Sequence, residues 1–180
     1  MCLTKWLSAT LAITLLASTA AAADTVASGK VKSINAGNKT FVLTDSADKD
    51  FTFKLVDNLV VNREGKESNS GLKIGDAISV CYDKGTFTWT AHYILVQEGT
   101  YKNSELVRGN IKGYDADTKE LTFTNEGKKD STYSMGKAMV RLNMEGAKIE
   151  NVKIGDHALI IVDTVEGKTT LRSVMVDRAG

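Results

Sequence analysis

Leu72-Lys-Ile-Gly-Asp-Ala-Ile-Ser-Val80 returns as Val152-Lys-Ile-Gly-Asp-His-Ala-Leu-Ile160, and the offset of 80 that relates them holds along most of the chain. At that offset residues 29–96 align with 109–176 without a net gap, with 16 identities in 68 positions. The chain is a duplication, so its fold needs to be read only once. Gly29-Lys-Val-Lys-Ser-Ile34 answers Gly109-Asn-Ile-Lys-Gly-Tyr114, and Ala91 to Val96 answers Leu171 to Val176. In the shared Ile-Gly-Asp, glycine supplies a backbone angle closed to other residues and the aspartate side chain can accept from nearby amides, which is turn chemistry.

Around these anchors one copy reads as strands. Val31 with Ile34, Phe41 with Leu43, and Phe51, Phe53 and Leu55 recur at short spacing across the turn-forming runs Asn35-Ala-Gly-Asn38 and Ser46-Ala-Asp48. The second copy repeats this with Ile111 and Tyr114, Leu121 and Phe123, and Tyr133 with Met135, its turns falling in register at Asp115-Ala-Asp117 and Asn125-Glu-Gly127. A short apolar group follows in each copy, Leu59 to Val61 or Met139 to Leu142, then a polar stretch leading to Ile-Gly-Asp. Ile78 to Tyr82 with Phe87 to Val96, and Ala158 to Val162 with Thr169 to Val176, read as closing hairpins. The expected fold is all-β, with two tandem small barrels of five to six strands, OB-like, or else SH3-like because connectivity cannot be read from strand count. The predicted segments are a leader at 1–23, a first barrel at 24–97, a linker at 98–106 and a second barrel at 107–180. A polar linker this short permits close packing of the barrels without requiring it.

Lys5 precedes an apolar and small-residue run from Leu11 to Ala23 that ends in Ala21, Ala22 and Ala23. This is the layout of a secretory signal peptide, too short for a membrane span, and it predicts a periplasmic or secreted protein cleaved near Ala23 with no membrane span in the mature chain. Without residues 1–23 the bases and acids are 22 and 22, divided 9 to 10 over residues 24–100 and 13 to 12 over 101–180. Neither half has the basic excess that phosphate binding requires, so nucleic acid is not an expected partner. One cysteine remains, Cys81, and a lone thiol makes no intrachain disulfide. Strand alternation puts Ile78, Val80 and Tyr82 on one face and Cys81 with Ser79 on the other, so Cys81 is either a small residue on a β surface or a point for intermolecular pairing.

The arrangement carried by Gly29, Val31, Ile34, Leu72, Gly75, Asp76, Ile78, Val80, Ala91, Ile94 and Val96 resembles uncharacterised families of short extracytoplasmic OB-like domains in bacteria. The resemblance covers nearly all of each copy and implies a fold, not an activity. The layout is also similar to that of the CusF-type periplasmic copper chaperones, whose barrels bind Cu(I) through a His, two Met and a capping Trp on the second and third strands. Those ligands do not carry over, since the first copy has neither Met nor His on those strands. The first copy has Trp89 and His92 in its last hairpin, and the second has Met135, Met139 and Met144 with no His or Trp beside them.

Soft thioethers suit Cu(I), so the three methionines are candidate copper ligands against the alternative of apolar filling. On a continuous strand their spacing would put Met135 and Met139 on one face and Met144 on the other. Phe87, Trp89, His92 and Tyr93, found only in the first copy, are a candidate ligand platform, since OB barrels bind extended ligands across aromatic surfaces. Phe87 and Trp89 are expected to share a strand face. No catalytic constellation stands out. His92 and His157 are not equivalent in the repeat, there is no His-Glu-x-x-His pattern and no nucleophile elbow, and Asp115-Ala-Asp117 lacks the remaining ligands of a calcium loop. The expectation is a secreted, non-enzymatic binding or structural module without a resident cofactor, its partner an envelope protein or glycan. The alternatives are a Cu(I)-binding periplasmic protein and a polysaccharide or cell-envelope accessory protein.

Overall fold

The computed structural model describes residues 24–142 and 149–176. They form strands β1 (Asp24–Asn35), β2 (Thr40–Thr44), β3 (Asp50–Arg63), β4 (Lys66–Ser68), β5 (Ala77–Lys84) and β6 (Trp89–Val96), then β7 (Ser104–Asp115), β8 (Glu120–Asn125), β9 (Asp130–Ser134), β10 (Met139–Leu142), β11 (His157–Val165) and β12 (Lys168–Val176).

In the first copy β1, β2 and β3 are an antiparallel meander, β3 runs parallel to β6, β6 returns antiparallel to β5, and β5 closes on β1. The second copy closes the same ring through β7, β8, β9, β12 and β11, with β10 continuing the parallel pairing to β12. These are two small barrels whose strand order and parallel third and last strands are OB-like. In the first copy, the polar stretch before Ile-Gly-Asp folds back on β3 as the short strand β4.

Closure depends on one long strand serving two partners. Residues 30–35 of β1 pair with β2, and residues 24–30 pair with β5. At the changeover, Gly29 lies so close to β2 that a Cβ there would fall 2.2 Å from the Thr44 carbonyl oxygen, and at Gly109 the same atom would fall 2.1 Å from the Thr124 oxygen. The Ile-Gly-Asp turn is fastened to the same strand two residues further on. Val31 N–H donates to the Asp76 carbonyl at 2.9 Å and Gly75 N–H to the Val31 carbonyl at 2.8 Å, and Ile111, Asp156 and Gly155 repeat this at 2.9 and 2.7 Å. Gly75 and Gly155 have φ of 90° and 91°, the left-handed region the turn requires. The aspartates act as the sequence predicts, with the Oδ2 atoms of Asp76 and Asp156 each accepting at 2.7 Å from Lys73 N–H or Lys153 N–H.

Each barrel has its own core. The first is filled by Phe41, Leu43, Phe53, Ile78, Val80, Ile94 and their neighbours, and the second by Ile111, Leu121, Phe123, Met135, Ile160 and Val174 among others. A third apolar cluster lies between the barrels, where Cys81, Tyr93 and Leu95 meet Leu106, Leu159 and Ile161, with Val26, Val60, Tyr101 and Met175 at its margin. Several members are equivalent in the repeat, Val26 to Leu106, Cys81 to Ile161 and Leu95 to Met175, so each barrel presents the same outer face to the other. Packing that the linker length only permits is therefore realised. Part of the predicted linker belongs to that packing: Gly99–Tyr101 is a single 3-10 turn and β7 already begins at Ser104. Cys81, only 2% exposed, is not on a free surface as expected but in this seam, where a second molecule could reach its thiol only if the barrels parted.

Two predictions follow from the closure and from a pair of repeated ion pairs. Gly109→Ala should lower stability by about 2–3 kcal/mol, since the methyl meets backbone that cannot yield. Gly113→Ala, where an added Cβ meets nothing within 4 Å, should change it little. Equal urea midpoints for the two variants would contradict this account. Lys32 pairs with Asp50 at 2.5 Å while Thr44 Oγ1 donates to the same carboxylate at 2.7 Å, and Lys112, Asp130 and Thr124 form the equivalent set. The lysine hydrogen bond, and next the threonine, hold both carboxyls below the usual range. Their stabilisation is present above the ordinary carboxylate pKa and is lost as pH falls through the lowered values. The melting temperature of the natural chain should thus fall more between pH 5 and pH 2 than that of Asp50→Asn/Asp130→Asn, and parallel curves would refute it.

Candidate functional site

The sequence-predicted platform is divided by a β-bulge. Opposite Cys81 and Tyr82 of β5, strand β6 offers Tyr93 and Ala91, which leaves His92 as the extra residue. Trp89 and Ala91 therefore face the core of the first barrel with Ile94 and Val96, whereas Tyr93 and Leu95 face the seam. His92 Nε2 sits 2.7 Å from Asp83 Oδ2. The second barrel carries the same bulge at Arg172, whose Nη2 donates at 2.6 Å to Asp163 Oδ2. Asp83 and Asp163 are one of the repeat identities, so each barrel pairs its bulge residue with the same carboxylate.

Tyr93 belongs to a polar network across the seam. Asn62 Nδ2 donates to its hydroxyl at 2.8 Å, the hydroxyl donates to Glu67 Oε1 at 2.9 Å, and Glu67 pairs with Arg141 of the second barrel. Burial pushes the Tyr93 phenol far above its usual range, so it remains a neutral donor. Arg172 ties the linker down as well, donating to the Thr100 carbonyl at 2.5 Å and lying 4.5 Å from the Tyr101 ring centre. His92 is thus held by Asp83 and Tyr93 by the seam network.

What remains of the platform is concentrated at one end of the first barrel. Trp89 stacks on Phe51 with ring centres 5.0 Å apart and on Tyr82 at 5.1 Å, and Phe53 packs against Tyr82 and Trp89 from within. Trp89 and Phe51 are only partly buried. The Lys49 ammonium lies 5.1 Å above the Phe51 ring centre and that of Lys84 5.4 Å above Trp89. Phe87 is 97% exposed. It does not lie on the strand with Trp89 as expected but in the loop between β5 and β6, closed by Gly85 N–H donating to the Thr88 carbonyl at 3.1 Å. At the matching positions the second barrel has Ser131, Val162, Thr164, Gly167 and Thr169, and its β11–β12 connection is a tight turn through Glu166 and Gly167 at positive φ. Only Lys129 answers Lys49. Sequence periodicity could not supply Phe51 and Lys49 as partners of Trp89, because they come from β3 and its preceding turn and are joined to β6 only by the parallel pairing of Phe53 with Trp89.

A polar cleft of about 510 Å³ is lined by Ser28, Lys30, Thr44, Asp45, Ser46 and Asp48 among others. Its Asp45 carboxylate is already used by the turn, accepting from Ala47 and Lys49 N–H at 2.8 and 2.9 Å.

Of the candidate methionines, Met135 and Met139 differ in burial. Met135 is 5% exposed and belongs to the second core, whereas Met139, at the start of β10, is 46% exposed. The continuous strand that would align them is broken by a turn in which Ala138 N–H donates to the Met135 carbonyl at 2.7 Å and Gly136 takes φ of 47°. Met144 lies outside the described residues. Among the described residues no three His, Cys, Asp or Glu side chains are grouped to hold a metal ion, and no helix is long and apolar enough to cross a membrane. No protein-family model matches the chain, and no curated protein matches it.

Proposed function

We propose that this is an exported, non-enzymatic binding protein in which the first barrel carries the ligand-contacting end and the second, packed against its back, is a scaffold. The observation that carries this reading is the asymmetry of the duplication. Two barrels built on the same turns, glycines and bulge differ at one end, where the first holds the Phe51–Trp89–Tyr82 stack and a wholly exposed Phe87 and the second holds small and hydroxyl side chains. A phenyl ring left in water at a loop tip contributes nothing to its own barrel, and its burial against a partner would be favourable. The seam occupies β1, β5 and β6 on their outer faces, and beside it Thr25 Oγ1, on the strand neighbouring Tyr82, donates to Glu126 of the second barrel at 3.1 Å. Non-enzymatic action is inferred from the chemistry at that end, which consists of aromatic rings and ammonium groups with no nucleophile and base aimed at a common point.

Retention of the chain on plates coated with purified bacterial envelope polysaccharide tests this reading. Phe87→Ala should reduce retention by about tenfold or more at unchanged melting temperature, while Val165→Ala, an exposed residue in the second barrel, should leave it intact. Retention that is indifferent to Phe87 would sink the assignment of the site.

A further inference from the structure

Two buried polar atoms come together where the linker enters the second barrel. Ser104, the first residue of β7, lies directly opposite Asp163 of β11, and residues opposed on an antiparallel pair share a face, with Cβ atoms about 4.5–5.5 Å apart. Ser104 is fully buried and Asp163 is 8% exposed. Both Arg172 hydrogen bonds to the carboxylate go to the same oxygen, Nε at 3.2 Å and Nη2 at 2.6 Å to Oδ2. Asp163 Oδ1 and Ser104 Oγ are buried with no hydrogen-bond partner among the described residues, and they do not bond to each other. We propose that this is a binding site for one water molecule, which donates to Asp163 Oδ1 and bridges it to Ser104 Oγ as a constant part of the fold. Left unpaired, each group would bear the full cost of its lost hydration, whereas a single water reaches both across an opposed strand pair.

Water suits the site better than a cation. The Asp163 carboxylate is already balanced by Arg172, so a second positive charge would be buried without compensation. A water can donate to the carboxylate and either donate to or accept from the hydroxyl. The site belongs to the second barrel alone. At the matching positions the first barrel has Asp24, Asp83 and His92, and the side chains of its Asp83–His92 pair are 36% and 37% exposed, open to solvent. In the second barrel the linker is drawn against the pair: Arg172 Nη2 donates to the Thr100 carbonyl, the guanidinium lies against the Tyr101 ring, and Gln97 Nε2 donates to the Ser104 carbonyl at 2.8 Å. Gln97 thus holds the backbone of Ser104, the water holds its side chain, and together they fasten the end of the linker to β11.

High-resolution crystal structures of residues 24–180, from crystals grown in sodium and in rubidium salts, test the site together with the Ser104→Ala variant. The expected result is a water peak within about 3.2 Å of both Asp163 Oδ1 and Ser104 Oγ, the same in either salt and absent from Ser104→Ala. The variant should also melt about 2–4 °C lower, the shift that one lost buried hydrogen bond gives a chain of this size. An anomalous rubidium signal between the two oxygens would overturn water in favour of a monovalent cation. A dry gap, or Ser104 Oγ donating straight to Asp163 Oδ1, would overturn the site itself. A Ser104→Ala variant that keeps both the water and the melting temperature would overturn the bridge, because the hydroxyl would then not be holding it.

Discussion

The close approach of the first strand to the second at Gly29, and again at Gly109, is the contact on which the rest of the structure depends. A strand that pairs with β2 along one half and β5 along the other must bring its backbone against the β2 carbonyls where it changes partner, and a side chain there would occupy the same space as Thr44 or Thr124. Once that contact is made, β5 has a partner and the ring closes. The Ile-Gly-Asp turn secures the arrangement by hydrogen-bonding to the residue two places on, so the two most recognisable motifs of the repeat meet at one point in each barrel.

Closed barrels have no edges with which to associate, so the two copies join through side chains on an outer face. They use the same face. Equivalent positions from β1, β5 and β6 and their counterparts meet across the seam, as in an isologous contact between subunits. The polar bridge from Asn62 through Tyr93 and Glu67 to Arg141 fixes the alignment of that apolar contact, and Arg172 fastens the linker beside it. The aromatic end of the first barrel has a chemistry that the matching positions of the second barrel lack.

Much of the fold was legible because turns and period-2 alternation are local properties. The offset of 80, the meander, the closing hairpins and the faces of Ile78, Val80 and Tyr82 are all found where the sequence puts them. The candidate site was legible only in part. Alternation carried through Phe87 to Tyr93 takes no account of the bulge at His92, and one extra residue is enough to send Tyr93 to the opposite face from Ala91. Met135 and Met139 were separated by a turn that a glycine at position 136 hinted at but did not require. Cys81 was assigned correctly to the outer face, but that the outer face is covered is a property of two barrels together. The repeat identities held a signal of their own: Lys32, Thr44, Asp50 and Asp83 are each retained in both copies, and each takes part in a side-chain contact that the duplication preserved.

Because a buried apolar seam and a bridging polar network couple the barrels, they should unfold as one unit although each has a separate core. Scanning calorimetry of residues 24–180 tests this most directly. A single transition whose calorimetric enthalpy equals its van't Hoff enthalpy is the predicted result. Two resolved transitions, or a calorimetric enthalpy near twice the van't Hoff value, would mean that the barrels melt independently and that the seam does not hold them as described.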